Sequence, residues 1–346
     1  MNRYHRCLLC LAIAGLVAAG AAFAHESLKV SPNTPDEPLA RKLSLEKTAE
    51  FLDATSLNWT EQRKCGTCHT NYPYLMARPT LKNSEAHNRI RTFFEKRVAN
   101  WDGAKKEDKP RWDTEVVATA AALAVNDSLT TGKLHPLTRQ ALDRMWTLQK
   151  PNGAWDWLKC NWPPFEHDDY YGALFAAVGV GHAPDGYAQT EKAREGLNKL
   201  REYFKKNPPP NLHHKAWLMW ASLKLDGLMS TKLRESTIAE LRALQHADGG
   251  WSLASLGDWV GVEERPNDRS APSDGYGTGF TVFVLRQASI PVSDEAIARG
   301  VAWLKSNQRE SGRWFTRSLS TDKHHFITHA GTAYAVLALK ACGVNE

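Results

Sequence analysis

The chain has 346 residues, 42% of them apolar, enough for one large domain with a sizeable core. Its formal charge of +6 is weak and scattered, and it falls by two once Arg3 and Arg6 leave with the export signal described next. Such a balance excludes nucleic acid as the partner, because no concentrated basic field is present to hold phosphates.

Arg3 and Arg6 form a short basic start, residues 7–22 are almost wholly apolar, and Ala22-Phe23-Ala24 offers a small-x-small cleavage pattern. Residues 1–24 therefore read as a signal peptide, with the mature chain starting near His25 in the periplasm or outside the cell. An uncleaved membrane anchor is the alternative reading. No later stretch is apolar enough to span a bilayer, so no integral membrane span is expected after cleavage. Residues 25–41 are polar and Pro-rich and read as a flexible lead-in. Residues 42–346 read as a single domain.

Within that domain two kinds of helical pattern alternate. Residues 42–55, 84–99, 137–149, 190–206, 231–245 and 294–307 are amphipathic and charged. Residues 68–76, 114–125, 168–180, 213–225, 275–287 and 328–341 are apolar nearly all round. A helix with one apolar stripe lies at a surface, and one apolar all round is enclosed. The two kinds pair as outer and inner helices, and the inner stretches recur about every 45–60 residues. Six such hairpins close into a ring, which predicts an all-α (α/α)6 toroid with no open apolar edge.

Between the first outer and inner stretches lies Cys65-Gly66-Thr67-Cys68-His69. C-x-x-C followed at once by His suits covalent attachment of one haem c: each thiol forms a thioether with a vinyl group, and His69 becomes the proximal iron ligand. Two other readings stay open, a Cys65–Cys68 disulfide and a zinc site completed from elsewhere in the chain. Of the remaining mature cysteines, Cys160 and Cys342 could pair in an oxidising compartment.

The helix joints also repeat. Leu148-Gln149-Lys150-Pro151-Asn152-Gly153-Ala154-Trp155 and Leu244-Gln245-His246-Ala247-Asp248-Gly249-Gly250-Trp251 follow the third and fifth outer stretches. A looser copy runs from Leu304-Lys305-Ser306-Asn307-Gln308 to Gly312-Arg313-Trp314. Glycine after the helix takes the left-handed cap, glutamine bonds exposed backbone, and tryptophan covers the joint. These tryptophans, part of 13 in the chain, are expected to be structural.

The L-Q-x-x-x-G-x-W joints resemble the QW repeats of squalene–hopene cyclases and related prenyltransferases. The resemblance covers most of the mature chain and implies an α/α toroid with an apolar central cavity for an isoprenoid or other hydrophobic small molecule. Those cyclases protonate an alkene with an acidic D-x-D-D motif. Its nearest match here is Glu166-His167-Asp168-Asp169, with Glu in the first position. The resemblance implies Asp168 as proton donor, with Asp169 beside it. Like-charge repulsion between the two would raise one carboxyl's pKa.

In an antiparallel ring all inner helices start at one mouth. Those starts carry Cys68-His69, Trp112-Asp113, His167-Asp168-Asp169, His213-His214, Ser273-Asp274 and His324-His325 with His329. Titratable groups at one end of an apolar ring suit a cofactor or substrate site. Asp113, Asp168 and Asp274 equally suit helix caps or first turns. Met76 lies about 10 Å along a helix from His69 and cannot share its iron. The distal ligand candidates are then His167, His213, His214, His324, His325 and His329. Lys64 and Arg78 are candidates for the haem propionates.

These residues support a haem-dependent redox enzyme acting on a hydrophobic substrate in the toroid. A second reading is a non-catalytic electron-transfer or haem-sensing protein with a redox partner protein. A haem-free cyclase using Asp168 is a third.

Overall fold

The computed structural model describes residue 30 and residues 32–260, 266–320 and 326–345. Twelve α-helices run in outer–inner pairs: α1 (Leu45–Arg63) and α2 (Asn71–Ala77), α3 (Glu85–Asn100) and α4 (Asp113–Leu129), α5 (Pro136–Thr147) and α6 (Asp169–His182), α7 (Glu191–Lys206) and α8 (Leu212–Ser222), α9 (Thr231–Ala243) and α10 (Gly275–Gln287), α11 (Glu295–Ser306) and α12 (Phe326–Ala341). Among the described residues there is no strand, only isolated bridges. The even-numbered helices pack side by side around a ring that closes where α12 meets α2. The expected (α/α)6 toroid is the observed fold.

The pattern of side chains explains the two layers. In α7 the buried residues are Ala193, Gly196, Leu197, Leu200, Tyr203 and Phe204, an i, i+3, i+4, i+7 stripe. In α10 every residue from Gly275 to Leu285 is buried. The starts of both layers are capped by side chains: Ser84, Thr190, Ser230 and Asp294 at outer helices and Asp168, Asn211 and Asp274 at inner ones accept from first-turn amides. Inner helices approach closely where side chains vanish. A Cβ on Gly179 of α6 would stand 2.4 Å from the Ala121 Cα of α4, and one on Gly279 of α10 would stand 2.5 Å from the Ala335 amide of α12.

The three joints are near copies in space. The Nε1 of Trp155, Trp251 and Trp314 donates to the carbonyl ten residues earlier, at Met145, Leu241 and Leu304, over 2.7–2.8 Å. Gln149 Nε2 donates to the carbonyls of Gly153 and of Gly196 on the next outer helix, and Gln245 Nε2 to those of Gly249 and Ala296. In the last joint Gln308 repeats this pattern with the first helix as the next one: its Nε2 donates to the carbonyls of Gly312 and Ser44 and to Thr48 Oγ1, and its Oε1 accepts from the Ser44 amide. The joint that ends the repeat thus closes the ring.

Three expectations change. The lead-in is pinned rather than loose from residue 32 onward: Arg313 pairs with Glu37 and bonds the Pro32 carbonyl, Arg309 donates to the Glu37 carbonyl, and Ala40 and Glu310 exchange backbone bonds with Gln308 and Pro38. The first inner helix begins at Asn71, not Cys68, because the Thr67 hydroxyl takes the His69 and Thr70 amides and holds the chain in a turn.

The third change concerns the central cavity. Tyr334 of α12 meets Trp217 of α8, Trp217 meets Phe175 of α6, and Phe175 meets Tyr72 of α2, with ring centroids 5.6–6.4 Å apart. All four are fully or nearly fully buried. Tyr171, His213, Tyr276 and Phe280 thicken the plug. Large aromatic side chains on a narrow ring fill its axis, so this route for a bulky apolar substrate is closed.

Candidate functional site

The Cys65–His69 turn stands at the mouth where the inner helices begin. α1 ends on Lys64 in the left-handed conformation, φ 51°, which turns the chain back toward the ring. Gly66 is required next: a Cβ there would lie 2.2 Å from Tyr72 Oη and 2.7 Å from the Phe94 ring. Thr67 then folds the turn, its carbonyl accepting from the Tyr72 amide. His69 is buried, edge-on to Trp59 at 5.0 Å and facing Trp162 at 6.3 Å. Its Nδ1 lies 2.9 Å from both the Thr67 and Thr70 hydroxyls. With the proton on Nδ1, the Thr70 hydroxyl accepts it and the Nε2 lone pair is the one suited to a metal, the arrangement that orients metal-ligating histidines.

Both motif cysteines are free thiols. Burial raises the Cys65 thiol, with Arg111 opposing the shift, and raises the fully buried Cys68 thiol strongly, reinforced by Glu166 and Cys160. They are held protonated, so neither is a ready thiolate. Among the described residues no three His, Cys, Asp or Glu side chains converge to hold a metal ion.

The two thiols line a cavity of only about 40 Å³, walled by Tyr72, Arg111, Trp112, Glu115, Leu158 and Glu166. Through Arg111 and Trp112 this cavity adjoins a cleft of about 1250 Å³ between α1, α3 and the 106–112 segment. The donor residue types are those of a covalent haem; the cavity that the thiols line is itself smaller than a macrocycle, and the adjoining cleft is reached through Lys64, Arg111 and Trp112. A short hairpin roofs the other side: Cys160 and Trp162 donate to the Glu166 carbonyl and Glu166 donates to that of Trp162. Burial raises the Glu166 carboxyl, which stands beside the Cys160 thiol.

The remaining candidates divide. Asp168 caps α6, its Oδ1 taking the Tyr171 amide at 2.8 Å and His214 Nε2 at 3.2 Å. Burial alone would raise this carboxyl, but His214 and the Tyr171 amide hold it below the ordinary range. It is ionised at neutral pH, opposite to what a proton donor requires. Asp169 points elsewhere, to Lys159 at 3.0 Å and Lys150 at 3.5 Å. The expected repulsion between the two carboxylates is absent because each has its own cation or donor. Asp274 caps α10, and Asp113 opens α4 without capping it.

Among the distal candidates, His214 uses both ring nitrogens, on Asn211 and Asp168. His213 lies in the aromatic plug, its Nε2 accepting from Tyr276 Oη at 2.8 Å and Trp217 Nε1 at 3.2 Å, and burial depresses its pKa strongly. His329 bonds Ser56 Oγ and the Leu52 carbonyl through Nε2. Only His214 is thereby spent on structure through both ring nitrogens, since the bonds of His213 and His329 use Nε2; the buried Nδ1 of His213 has no hydrogen-bond partner. His167 follows the Trp162 hairpin, and its buried Nδ1 has no hydrogen-bond partner. His324 and His325 lie outside the described residues, as do residues 1–24.

Arg78 does not reach the mouth. It is buried at the far end of α2, clamped by Asp53 through Nε at 2.7 Å and Nη2 at 3.1 Å. Cys160 and Cys342 do not pair, since one precedes an inner helix and the other follows one, at opposite ends of the ring. Composition pointed to tryptophan, but it did not single out Trp59, Trp112 and Trp162 as the residues around the motif.

No family model matches the chain, and no curated protein matches it either. Solved structures do. The chain is similar to ent-copalyl diphosphate synthase from Streptomyces platensis, with 15% identity and a TM-score of 0.51 over 79% of this chain and 50% of that one. It is also similar to a polysaccharide lyase, with 13% identity and a TM-score of 0.50 over 86% and 96% of the two chains. The chain thus spans half the length of the synthase, and these likenesses concern the toroid fold.

Proposed function

We propose that this chain is an exported haem c protein that uses the toroid as a rigid holder and exchanges electrons at the inner-helix mouth. The observation that carries this reading is His69: a buried imidazole directly after C-x-x-C, oriented through Nδ1 by two threonine hydroxyls. Bound there, haem would supply one-electron chemistry at its iron. The Cys65 and Cys68 S–H groups would add across the vinyl double bonds, a step that needs no oxidant and expels nothing. His69 would offer Nε2 to the iron. Trp59 and Trp162 would pack against the imidazole ring. Lys64 and Arg111 stand on the cleft side as partners for propionates.

The filled axis weighs against an isoprenoid-type substrate inside the ring, and the ionised Asp168 weighs against the haem-free cyclase. One observation supports a second, enzymatic reading. A cavity of about 460 Å³ lies among the loops at the α10 start, walled by Trp259, Phe315, Pro272 and Arg309. A small apolar molecule bound there would be the substrate of a haem oxidoreductase.

Mass spectrometry of protein matured in a periplasm that attaches haem tests the proposal: one added haem is expected, and an unmodified mature mass overturns it. The visible spectrum then separates the two readings. A low-spin spectrum inert to carbon monoxide and cyanide fits electron exchange. A high-spin spectrum that shifts with either ligand fits the enzyme.

A further inference from the structure

The cleft beside Cys65 is lined by more cations than carboxylates. Lys64, Lys96, Lys106, Lys109 and Arg111 are exposed around it, and among the described residues none of the five makes an ion pair. Of the two acidic residues that line it, Glu61 is engaged by Arg89 at 2.6 Å, and Glu107 stands exposed between Lys106 and Lys109 in the chain. At the boundary with the cysteine cavity stands Trp112, 53% exposed. A large aromatic ring left half in water among unpaired cations is a poor arrangement for an isolated surface and a good one for an interface, where tryptophan anchors and like charges steer.

We propose that this cleft is the docking port of an acidic one-electron carrier protein, which packs on Trp112 and exchanges electrons with the haem held at Cys65 and Cys68. The inference rests on the haem reading above. Each encounter moves one electron, with the iron passing between ferrous and ferric states and the carrier changing oppositely, so no further reactant is needed. Lys96, Lys106 and Lys109, the cations that no propionate engages, draw the acidic face in, and a mainly cationic cleft raises encounter rates by about tenfold or more at low salt.

The test uses the matured haem-loaded chain, reduced and mixed in a stopped-flow instrument with ferricyanide or with tris(1,10-phenanthroline)cobalt(III). Lys106→Glu/Lys109→Glu is compared with Lys192→Glu/Lys199→Glu, an equal change of charge on the exposed face of α7. The cleft variant should slow ferricyanide oxidation about tenfold at low salt and speed the cobalt reaction, while the α7 variant shifts both by less than about twofold. Poly-L-glutamate should slow ferricyanide oxidation of the parent and not of the cleft variant. Equal responses of the two variants overturn the port. Shielding by phosphatidylglycerol vesicles but not by poly-L-glutamate overturns a protein carrier. Haem content and melting temperature are read on every sample. A chain without haem sinks the functional reading and the port together, whereas a loaded chain with indifferent variants sinks the port alone.

Discussion

Two kinds of connection link outer to inner helices, and they differ in what they protect. The joints at 148–155, 244–251 and 308–314 repeat the same bonds: glutamine to two carbonyls, tryptophan to a third, and glycine with positive φ at Gly153, Gly249 and Gly312. The first connection, 64–70, shares none of this. It replaces the glutamine and tryptophan with thiols, a buried histidine and two threonines, and its stability comes from the Trp59, Tyr72 and Phe94 rings around it. Where the chain repeats itself it is closing a ring. At 64–70 it gathers reactive groups at the mouth instead.

Removing a joint should therefore cost stability and leave the motif's chemistry intact. Trp251 is fully buried and bonded at 2.7 Å, so Trp251→Ala should destabilise the domain by about 3–5 kcal/mol. At about 2–4 °C per kcal/mol the melting temperature drops by roughly 10 °C. Haem bound per folded molecule, read by absorbance and mass, should not change. A variant that melts like the parent would show that the joints are not what holds the ring.

Asp274 sharpens the regular side of the comparison because it ties a joint to an inner helix. Its Oδ2 accepts from the Leu253 amide at 2.6 Å and its Oδ1 from Gly277 at 2.8 Å. Burial nevertheless pushes its pKa to about 6. The unfolded chain releases this proton near the ordinary value of about 3.9. Between those values the unfolded state binds fewer protons, so this group's contribution to stability falls as pH rises from about 4 to about 6. The full effect is up to about 3 kcal/mol, and denaturant melts of Asp274→Asn across that window should show a flatter slope than the parent. Parallel slopes would refute the assignment.

Much of this architecture was legible beforehand, for reasons that particular residues make clear. Stripes such as Ala193, Leu197, Leu200 and Phe204, and caps such as Thr190, encode outer helices directly. What the pattern does not encode is whether an apolar-all-round helix faces a hole or a plug. That depends on side-chain size against ring diameter. A signal was present: Tyr171 and Phe175, His213 and Trp217, and Tyr276 and Phe280 are each four apart and face the axis together. The roles of Asp168 and Asp169 were out of reach because their partners in space, His214 and Lys150, stand on other elements, 46 and 19 residues away in the chain. Arg78 was misjudged for the same reason, its partner Asp53 lying one helix earlier.

On the irregular side, Gly66→Ala should act locally. The added methyl must displace Tyr72, which bonds Thr119 and belongs to the aromatic plug, at a cost of about 1–3 kcal/mol. Haem attachment should fall more than global stability does. Attachment equal to the parent's would mean that the turn geometry is not needed for the chemistry.

Asp168 looked like part of the reactive side by its sequence, and the smallest effect decides where it belongs. Its carboxylate caps α6 and holds His214, so Asp168→Asn keeps one acceptor oxygen but weakens both bonds, costing about 1 kcal/mol at pH 7. The pH dependence follows from the depressed folded pKa. Below the unfolded value of about 3.9 the unfolded carboxyl takes up its proton before the folded one does, so the parent's advantage is complete above that value and disappears as pH falls through the lower folded value. The deficit of the variant should thus be constant from pH 5 to 7 and shrink as pH falls below the unfolded value of about 3.9. An ionised structural cap predicts this curve together with an unchanged haem spectrum. A variant that instead alters the spectrum or ligand response at pH 7, with no loss in melting temperature, would move Asp168 from the ring's scaffold to the chemistry of its mouth.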